Sequence, residues 1–330
     1  MSLSDWEYSE WDAELFATEL NSFVPDYIYD AHAHLYQLDH FPGETAPKFL
    51  SAGPVSAGYS EFRARMDQIT PGRTRGGLFF GYPHAAIDVE SENQFVVAEV
   101  RKCGSSHAQM LTPPRMTSEQ IHEAVTSLGF SGLKCYHVWS QHRPTFDSKI
   151  EDFLPEHHVR TADELELSIT LHMVRSRALA DPVNQATIRR YCEDYPRMKL
   201  ILAHAARGFN PHHTILGIQS LRGLKNVWFD TSAVTDCGAM EAIIRVMGHE
   251  RLLYGSDFPV SHLRGRCVGL GDSFLWISAS NTNLQVPYAD LELALVGHES
   301  LRALKVAVMS TGLNDSQVED IFSGNARRLK

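Results

Sequence analysis

Eight β-rich runs alternate with helical stretches along this chain, and this alternation restricts the possible folds more than any other feature. Repeated βα alternation favours a parallel sheet, and eight units favour its closure into a barrel. The predicted fold class is therefore α/β, a (β/α)8 TIM barrel with an N-terminal helical extension and C-terminal helices. The predicted strands lie at 27–33, 78–82, 108–111, 132–136, 168–171, 199–203, 227–230 and 251–255.

The predicted organisation is one catalytic domain with helical additions at both ends. Residues 1–26 form the extension, in which an acidic amphipathic helix over 4–22 has Ser4 as its N-cap. Residues 27–330 form the barrel domain, and its end at about 285–330 is predicted to be helical. Segments 37–58 and 258–285 are predicted to be long loops, because the first is rich in Pro, Gly and Ala and the second follows the last strand.

Composition excludes several classes of protein. The chain has 330 residues and a net charge of −10, which argues against a nucleic-acid partner but not against a small anion in a basic pocket. Its five cysteines form no CxxC motif, so a reducing, cytoplasmic location is expected. The N-terminus has no apolar signal region, and no stretch approaches 18 apolar residues, so no membrane association is expected.

The first predicted strand ends in a pair of histidines. The run Tyr27–Tyr29 is followed by Asp-Ala-His-Ala-His, which ends at His34. Because strand side chains alternate between two faces, His32 and His34 should point the same way. Two imidazoles on one face of a strand end supply half of a metal site.

Four further polar residues follow later strands at a regular spacing. A βα unit of such a barrel takes roughly 31 residues. Lys134 and His172 lie 38 residues apart, His172 and His204 lie 32 apart, and Asp257 follows after 53, about two units. These groups therefore fall at the carboxyl ends of strands 4, 5, 6 and 8, the barrel face that carries catalytic groups.

The chemistry of these residues is consistent with a divalent metal. Neutral imidazoles and a carboxylate suit zinc and related ions. Such an ion lowers the pKa of bound water to about 7, and a neighbouring carboxylate can accept the released proton. Zinc is the expected ion, with manganese and cobalt as alternatives, since the same ligands accept all three.

With these motifs, the chain resembles the amidohydrolase superfamily, in particular amidohydrolase family 2. The resemblance spans residues 30–329 and includes the histidine pair, Gly132–Lys134, His172, His204 and Tyr254–Pro259. It implies metal ligation by His32, His34, His172 and Asp257. It also implies that Asp257 shuttles a proton and that His204 lies beside the metal, as a catalytic base or as an electrophile that polarises the substrate carbonyl.

Lys134 has two interpretations within this resemblance. In two-metal members of the superfamily, a lysine on strand 4 is carbamylated and bridges two ions. Family 2 members often carry a Gly-Leu-Lys strand without a second metal. We favour an unmodified, catalytic Lys134 that pairs with a substrate carboxylate or an active-site acid.

Four residues are candidates for substrate binding. Arg175 and Arg207 each follow a site histidine by three residues, and Tyr136 shares the strand parity of Lys134. Arg264 lies in the loop after strand 8 and could bind a carboxylate bidentately. Each arginine could instead be a surface residue. Asp230, which ends strand 7, is interpreted as a structural hydrogen-bond partner.

The predicted function is a metal-dependent hydrolase that uses one divalent ion and water to cleave a C–N or C–O bond of a small, anionic substrate. The first alternative is a non-oxidative decarboxylase of an aromatic or unsaturated acid, because the resembling family splits between the two reactions. The second is a non-catalytic metal-binding barrel. A homodimer is a further expectation from the resemblance.

Overall fold

The computed structural model of this chain describes residues 3–278 and 292–329. Within these residues, eight parallel strands form one sheet in which each strand pairs with the next. The sheet closes where Ala31 N donates to Tyr254 O at 2.8 Å and His34 N donates to Phe258 O at 2.7 Å. The TIM-barrel prediction is confirmed. The strands are β1 Ile28–His34, β2 Thr74–Phe80, β3 His107–Leu111, β4 Gly132–Cys135, β5 Ser168–Leu171, β6 Lys199–Leu202, β7 Val227–Asp230 and β8 Leu252–Leu253.

Helices surround the barrel, and their ends follow local capping chemistry. The helix Ser118–Leu128, for example, begins with a capping box between Thr117 and Gln120 and ends at Gly129 with φ +80°. None of the described helices is long and apolar enough to cross a membrane. The helices are α1 Glu10–Leu15, α2 Lys48–Ser51, α3 Tyr59–Ile69, α4 Val89–Val100, α5 Ser118–Leu128, α6 Glu156–Glu164, α7 Pro182–Asp194, α8 Pro211–Gly217, α9 Cys237–Met247, α10 Val296–Thr311, α11 Asp315–Glu319 and α12 Asn325–Arg327.

Three predicted segments differ from the structure. The predicted loop 37–58 contains helix α2 and most of a short antiparallel pairing between Tyr36–Gln37 and Ser56–Ala57. Helix α1 begins at Glu10 rather than near residue 4, because Ser9, and not the predicted Ser4, is its N-cap and forms a capping box with Asp12. The predicted loop 258–285 contains an antiparallel hairpin, β9 Gly265–Leu270 and β10 Ser273–Ser278. Its last residues, and the start of the predicted C-terminal helical region, lie outside the described residues.

Strand β1 contains one more residue than its partner over a short stretch. Asp30 pairs with Gly77 and Ala33 pairs with Phe79, so three steps in β1 match two in β2. Such a bulge changes which side chains face the barrel interior. Ala31 accordingly packs in the interior apolar cluster, while His32 and His34 both reach a cavity just above it.

Candidate metal centre

A cavity of about 290 Å³ opens at the carboxyl end of the barrel strands. It contains all the polar residues that the βα spacing of the sequence predicted at that end of the barrel. Aromatic and apolar side chains from the surrounding loops form much of its wall. The lining residues are His32, His34, Tyr82, Pro83, Lys134, Tyr136, His172, His204, Phe209, Asp257, Val260, Leu263 and Trp276.

The Asp257 carboxylate lies among three imidazoles. Its Oδ1 is 3.3 Å from His32 Nε2 and 3.4 Å from His34 Nε2, and its Oδ2 is 3.7 Å from His204 Nδ1. Burial raises the pKa of Asp257, but the neighbouring histidines outweigh this effect, and the net pKa lies below its ordinary value. The group is therefore an ionised acceptor at neutral pH.

Hydrogen bonds determine the tautomers of the histidine pair on β1. His32 Nδ1 donates to Asp230 Oδ2 at 2.8 Å, since an ionised carboxylate only accepts. His34 Nδ1 donates to the Gly81 carbonyl at 2.9 Å. In both neutral rings the lone pair then lies on Nε2, the nitrogen that faces Asp257.

A second chain of hydrogen bonds connects the other two histidines. His204 Nδ1 donates to the Ser232 carbonyl at 2.9 Å, so His204 Nε2 is an acceptor. That nitrogen lies 2.9 Å from His172 Nδ1, which must donate to it. His172 Nε2 therefore carries a lone pair, whereas both nitrogens of His204 are engaged.

These residues fit a divalent ion. Distance alone groups His32, His204 and Asp257, whose potential ligand atoms lie within 4.8 Å of one another. Hydrogen bonding favours His172 over His204, because His172 Nε2 has no hydrogen-bond partner among the described residues, whereas both nitrogens of His204 are engaged. Burial lowers the pKa of all four histidines, which keeps them neutral as metal ligands must be. The set of His32, His34, His172 and Asp257 stays a prediction.

Residues 204–207 form a left-handed turn directly after β6. Their φ angles are 57°, 51°, 61° and 56°, a conformation that costs roughly 1–2 kcal/mol for each non-glycine residue. His204 N donates to Asp230 Oδ1 and Thr214 Oγ1 donates to the Ala205 carbonyl, both at 2.8 Å. The turn places the His204 ring in the cavity and ends at Arg207.

The guanidinium of Arg207 lies between two aromatic rings, 5.2 Å from the centre of Phe274 and 5.8 Å from that of Phe146. One of its nitrogens donates to the Arg175 carbonyl at 2.7 Å. The charge is close enough to the cavity to act on the pKa of Tyr136 and of His172. Arg207 is thus a buried cation beside the site.

Lys134 and Tyr136 both line the cavity. Lys134 Nζ is 3.2 Å from His32 Nε2 and 4.2 Å from the centre of the Phe80 ring. Burial lowers the pKa of Lys134 to about 8. The Tyr136 ring lies 4.8 Å from that of His172, and burial raises the pKa of its hydroxyl. The catalytic role of Lys134 and the substrate-binding role of Tyr136 stay predictions.

Two of the predicted substrate-binding arginines, Arg264 and Arg175, are not among the described residues that line the cavity. Arg264 is buried and pairs with Asp12 of α1, and it also donates to the carbonyls of Glu7 and Leu293. Arg175 is half-buried and donates to Asp181 Oδ2 at 2.8 Å. The prediction for both is corrected: their guanidinium groups hold loops and the N-terminal helix.

Sequence reasoning missed the loop residues of the cavity wall and the extent of the role of Asp230. Phe209, Leu263 and Trp276 come from connections whose shape no periodic pattern encodes. Tyr82 and Pro83 lie two and three residues after the end of strand β2, and that position was an available signal. The sequence indicated that Asp230 accepts structural hydrogen bonds, but it did not indicate that the donors are His32 and His204.

A family model described as "Amidohydrolase", the second amidohydrolase family, matches residues 29–329. The chain belongs to amidohydrolase family 2. Members of this family are enzymes, both hydrolases and decarboxylases, and they bind a divalent metal. No curated protein matches the sequence of this amidohydrolase.

Solved structures share the fold of this amidohydrolase at low identity. An amidohydrolase from Burkholderia multivorans, solved with HEPES and in another crystal form with zinc, is 15% identical with a TM-score of 0.61 over 92% of this chain and 98% of its own. A 2,6-dihydroxybenzoate decarboxylase from Rhizobium is 14% identical with a TM-score of 0.59 over the same shares. A probable 2-pyrone-4,6-dicarboxylic acid hydrolase from Acinetobacter baumannii, solved with citric acid, is 14% identical with a TM-score of 0.56, again over 92% and 98%. At these identities the likeness shows the fold alone.

Proposed function

We propose that this amidohydrolase is a metal-dependent hydrolase that cleaves a C–O or C–N bond of a small carboxylate-bearing substrate. The observation that carries the proposal is the position of the Asp257 carboxylate, with both oxygens facing imidazole nitrogens at 3.3–3.7 Å on the cavity floor. A carboxylate in this setting is suited to accept a proton from water. Decarboxylation needs the opposite, a proton donated to carbon.

The proposed mechanism assigns one role to each group. An ion held by His32, His34, His172 and Asp257 would supply Lewis-acid activation of water and of the substrate carbonyl. Asp257 accepts the proton of the attacking water and delivers it to the leaving oxygen or nitrogen as that bond to the acyl carbon breaks. The products are a carboxylic acid and an alcohol or amine.

The remaining groups orient the substrate. Arg207 is the proposed partner of the substrate carboxylate, because it is buried and its guanidinium makes one hydrogen bond within the described part of the chain. Lys134, unmodified, provides a second positive charge near the cavity floor. The rings of Tyr82, Tyr136 and Trp276 limit access of bulk water and accommodate a planar substrate.

A decarboxylase is the second candidate. The aromatic cavity wall and the neighbouring cations Lys134 and Arg207 would equally accept an aromatic acid. The fold does not choose between the reactions, since its solved neighbours include a decarboxylase and a probable hydrolase.

A substrate panel tests the proposal. Zinc-, manganese- and cobalt-loaded protein is assayed on lactones, esters and amides with a carboxylate, and on aromatic and dienoic acids with detection of carbon dioxide. We expect hydrolysis that is lost on chelation and restored by metal. Carbon dioxide release without hydrolysis would replace the proposal with the decarboxylase, and inactivity of fully loaded protein on both panels would favour the non-catalytic barrel.

Two arginine variants test the substrate class. Arg207→Gln should raise KM for the carboxylate substrate about 10- to 100-fold, the loss expected for one charged hydrogen-bonding group. Arg175→Gln is the matched control, because each arginine follows a site histidine by three residues but Arg175 pairs with Asp181. Equal effects in the two variants would contradict the role of Arg207.

A further inference from the structure

Asp230, at the end of β7, accepts hydrogen bonds from two other strand ends of the site. Its Oδ2 accepts from His32 Nδ1 on β1, and its Oδ1 accepts from His204 N after β6, both at 2.8 Å. The Ser232 amide, at 3.1 Å, and the Ser232 hydroxyl also donate to Oδ1. The side chain is fully buried, and it is not among the described residues that line the cavity.

These contacts need a carboxylate. All four donors point at acceptor oxygens, and a carboxylate has only acceptors. An asparagine has one oxygen and one NH2 group, so it would place a donor against either His32 Nδ1–H or His204 N–H. A buried donor left without an acceptor costs about 1–3 kcal/mol. Asparagine therefore has the right shape and the wrong hydrogen-bonding pattern at this position.

The influence of Asp230 extends beyond the residues that it contacts. Its Oδ1 accepts a hydrogen bond from the backbone N–H of His204, the first residue of the left-handed turn 204–207. The nearby Ser232 carbonyl accepts a hydrogen bond from His204 Nδ1–H. His204 Nε2 is therefore free of a proton and accepts a hydrogen bond from His172 Nδ1. The end of β7 thus controls the tautomer of His32 directly and that of His172 through His204.

We propose that Asp230 is a positioning residue that sets His32 in its Nδ1–H tautomer and holds the 204–207 turn, so that the Nε2 lone pairs of His32 and His172 face the cavity together. The claim rests on the proposed function only in that it treats these lone pairs as metal ligands. Partners that orient metal-binding histidines typically change metal affinity 10- to 100-fold when removed.

The decisive comparison is between Asp230→Asn and Asp30→Asn in the full chain. Asp30 is also fully buried, but its Oδ1 accepts hydrogen bonds from the backbone N–H groups of His32 and Ser256, and its Oδ2 has no hydrogen-bond partner among the described residues. Zinc affinity is measured by chelator competition. We expect a 10- to 100-fold loss in Asp230→Asn and less than about 3-fold in Asp30→Asn. Equal losses would overturn the proposal.

Imidazole ¹H–¹⁵N spectra of the metal-free protein give a readout independent of zinc, with His32 assigned from His32→Gln. In wild-type protein His32 should be protonated on Nδ1, and in Asp230→Asn this signal should move to Nε2 or broaden between the two forms. A wild-type His32 protonated on Nε2 overturns the proposal, even if the variant does not fold. If wild-type protein binds none of zinc, manganese and cobalt, the proposed function fails, while this spectrum still decides the role of Asp230.

Discussion

The two ends of the barrel are built from the same strands but differ in chemistry. At the amino end, Tyr29, Leu78, Ile201 and Leu253 form an interior apolar cluster that Ala326 of α12 helps to cover. At the carboxyl end, β1, β4, β5, β6 and β8 lead into histidines, a lysine and an aspartate around an open cavity. In β1 the change takes place between Ala31 and His32. The contrast teaches that the amino-terminal half of a strand stabilises the fold, whereas the residues at its carboxyl end are available for chemistry.

The largest expected effect is at the carboxyl end. His34→Ala removes a proposed ligand whose Nε2 lies 3.4 Å from Asp257. We expect metal content to fall and kcat/KM to drop at least about 1000-fold, because the metal is proposed to activate the water. Elemental analysis and kinetics on the same preparation measure this. Full metal content with unchanged rate would remove His34 from the site.

A variant at the amino end of the barrel should lower the stability of the fold and leave metal binding nearly unchanged. Leu78→Ala opens space in the interior apolar cluster on β2, a strand that supplies no proposed ligand. Leu→Ala changes in cores cost about 2–5 kcal/mol, so we expect a fall of about 3 kcal/mol in the free energy of unfolding, measured with urea. Zinc affinity should stay within about 3-fold of wild type. A large loss of zinc affinity would show that the two ends are not independent.

A glycine pair tests the strain stored at the carboxyl end. Ala206 has φ +61° in the left-handed turn, whereas Ala307 is equally buried within α10. Glycine relieves roughly 1–2 kcal/mol of strain at the first position and costs about 1 kcal/mol in a helix. We expect Ala206→Gly to unfold with a free energy about 2 kcal/mol higher than that of Ala307→Gly. Equal urea stabilities would argue against strain in the turn.

The smallest effect concerns Asp12, a buried charge outside the cavity. Burial raises its pKa, but hydrogen bonds from Arg264 and Ser9 outweigh this and lower it overall. A lowered folded-state pKa gives stability above the unfolded value of about 4, and this stability is lost as pH falls through the folded-state pKa. The stability difference between wild type and Asp12→Asn should therefore shrink from pH 7 to pH 3. A constant difference would contradict this, and zinc affinity at pH 7 should be equal in both proteins.

Much of the site could be predicted because barrel geometry converts chain spacing into position. The carboxyl ends of parallel strands meet at one rim, so His172 and His204, one βα unit apart, had to be neighbours there. The same reasoning failed for Arg264. Arg264 packs against α1, and its ion-pair partner there, Asp12, lies 252 residues away in sequence.

The sequence alone determined the βα repeat, and with it the barrel and the rim on which His32, His34, Lys134, His172, His204 and Asp257 lie. Only the tertiary structure decided which nitrogen of each histidine faces the cavity, because the groups that select the tautomers, such as Asp230 for His32, are up to 198 residues distant in sequence. Side-chain periodicity reports the face on which a residue lies. Hydrogen-bond direction depends on partners that meet only when the barrel closes.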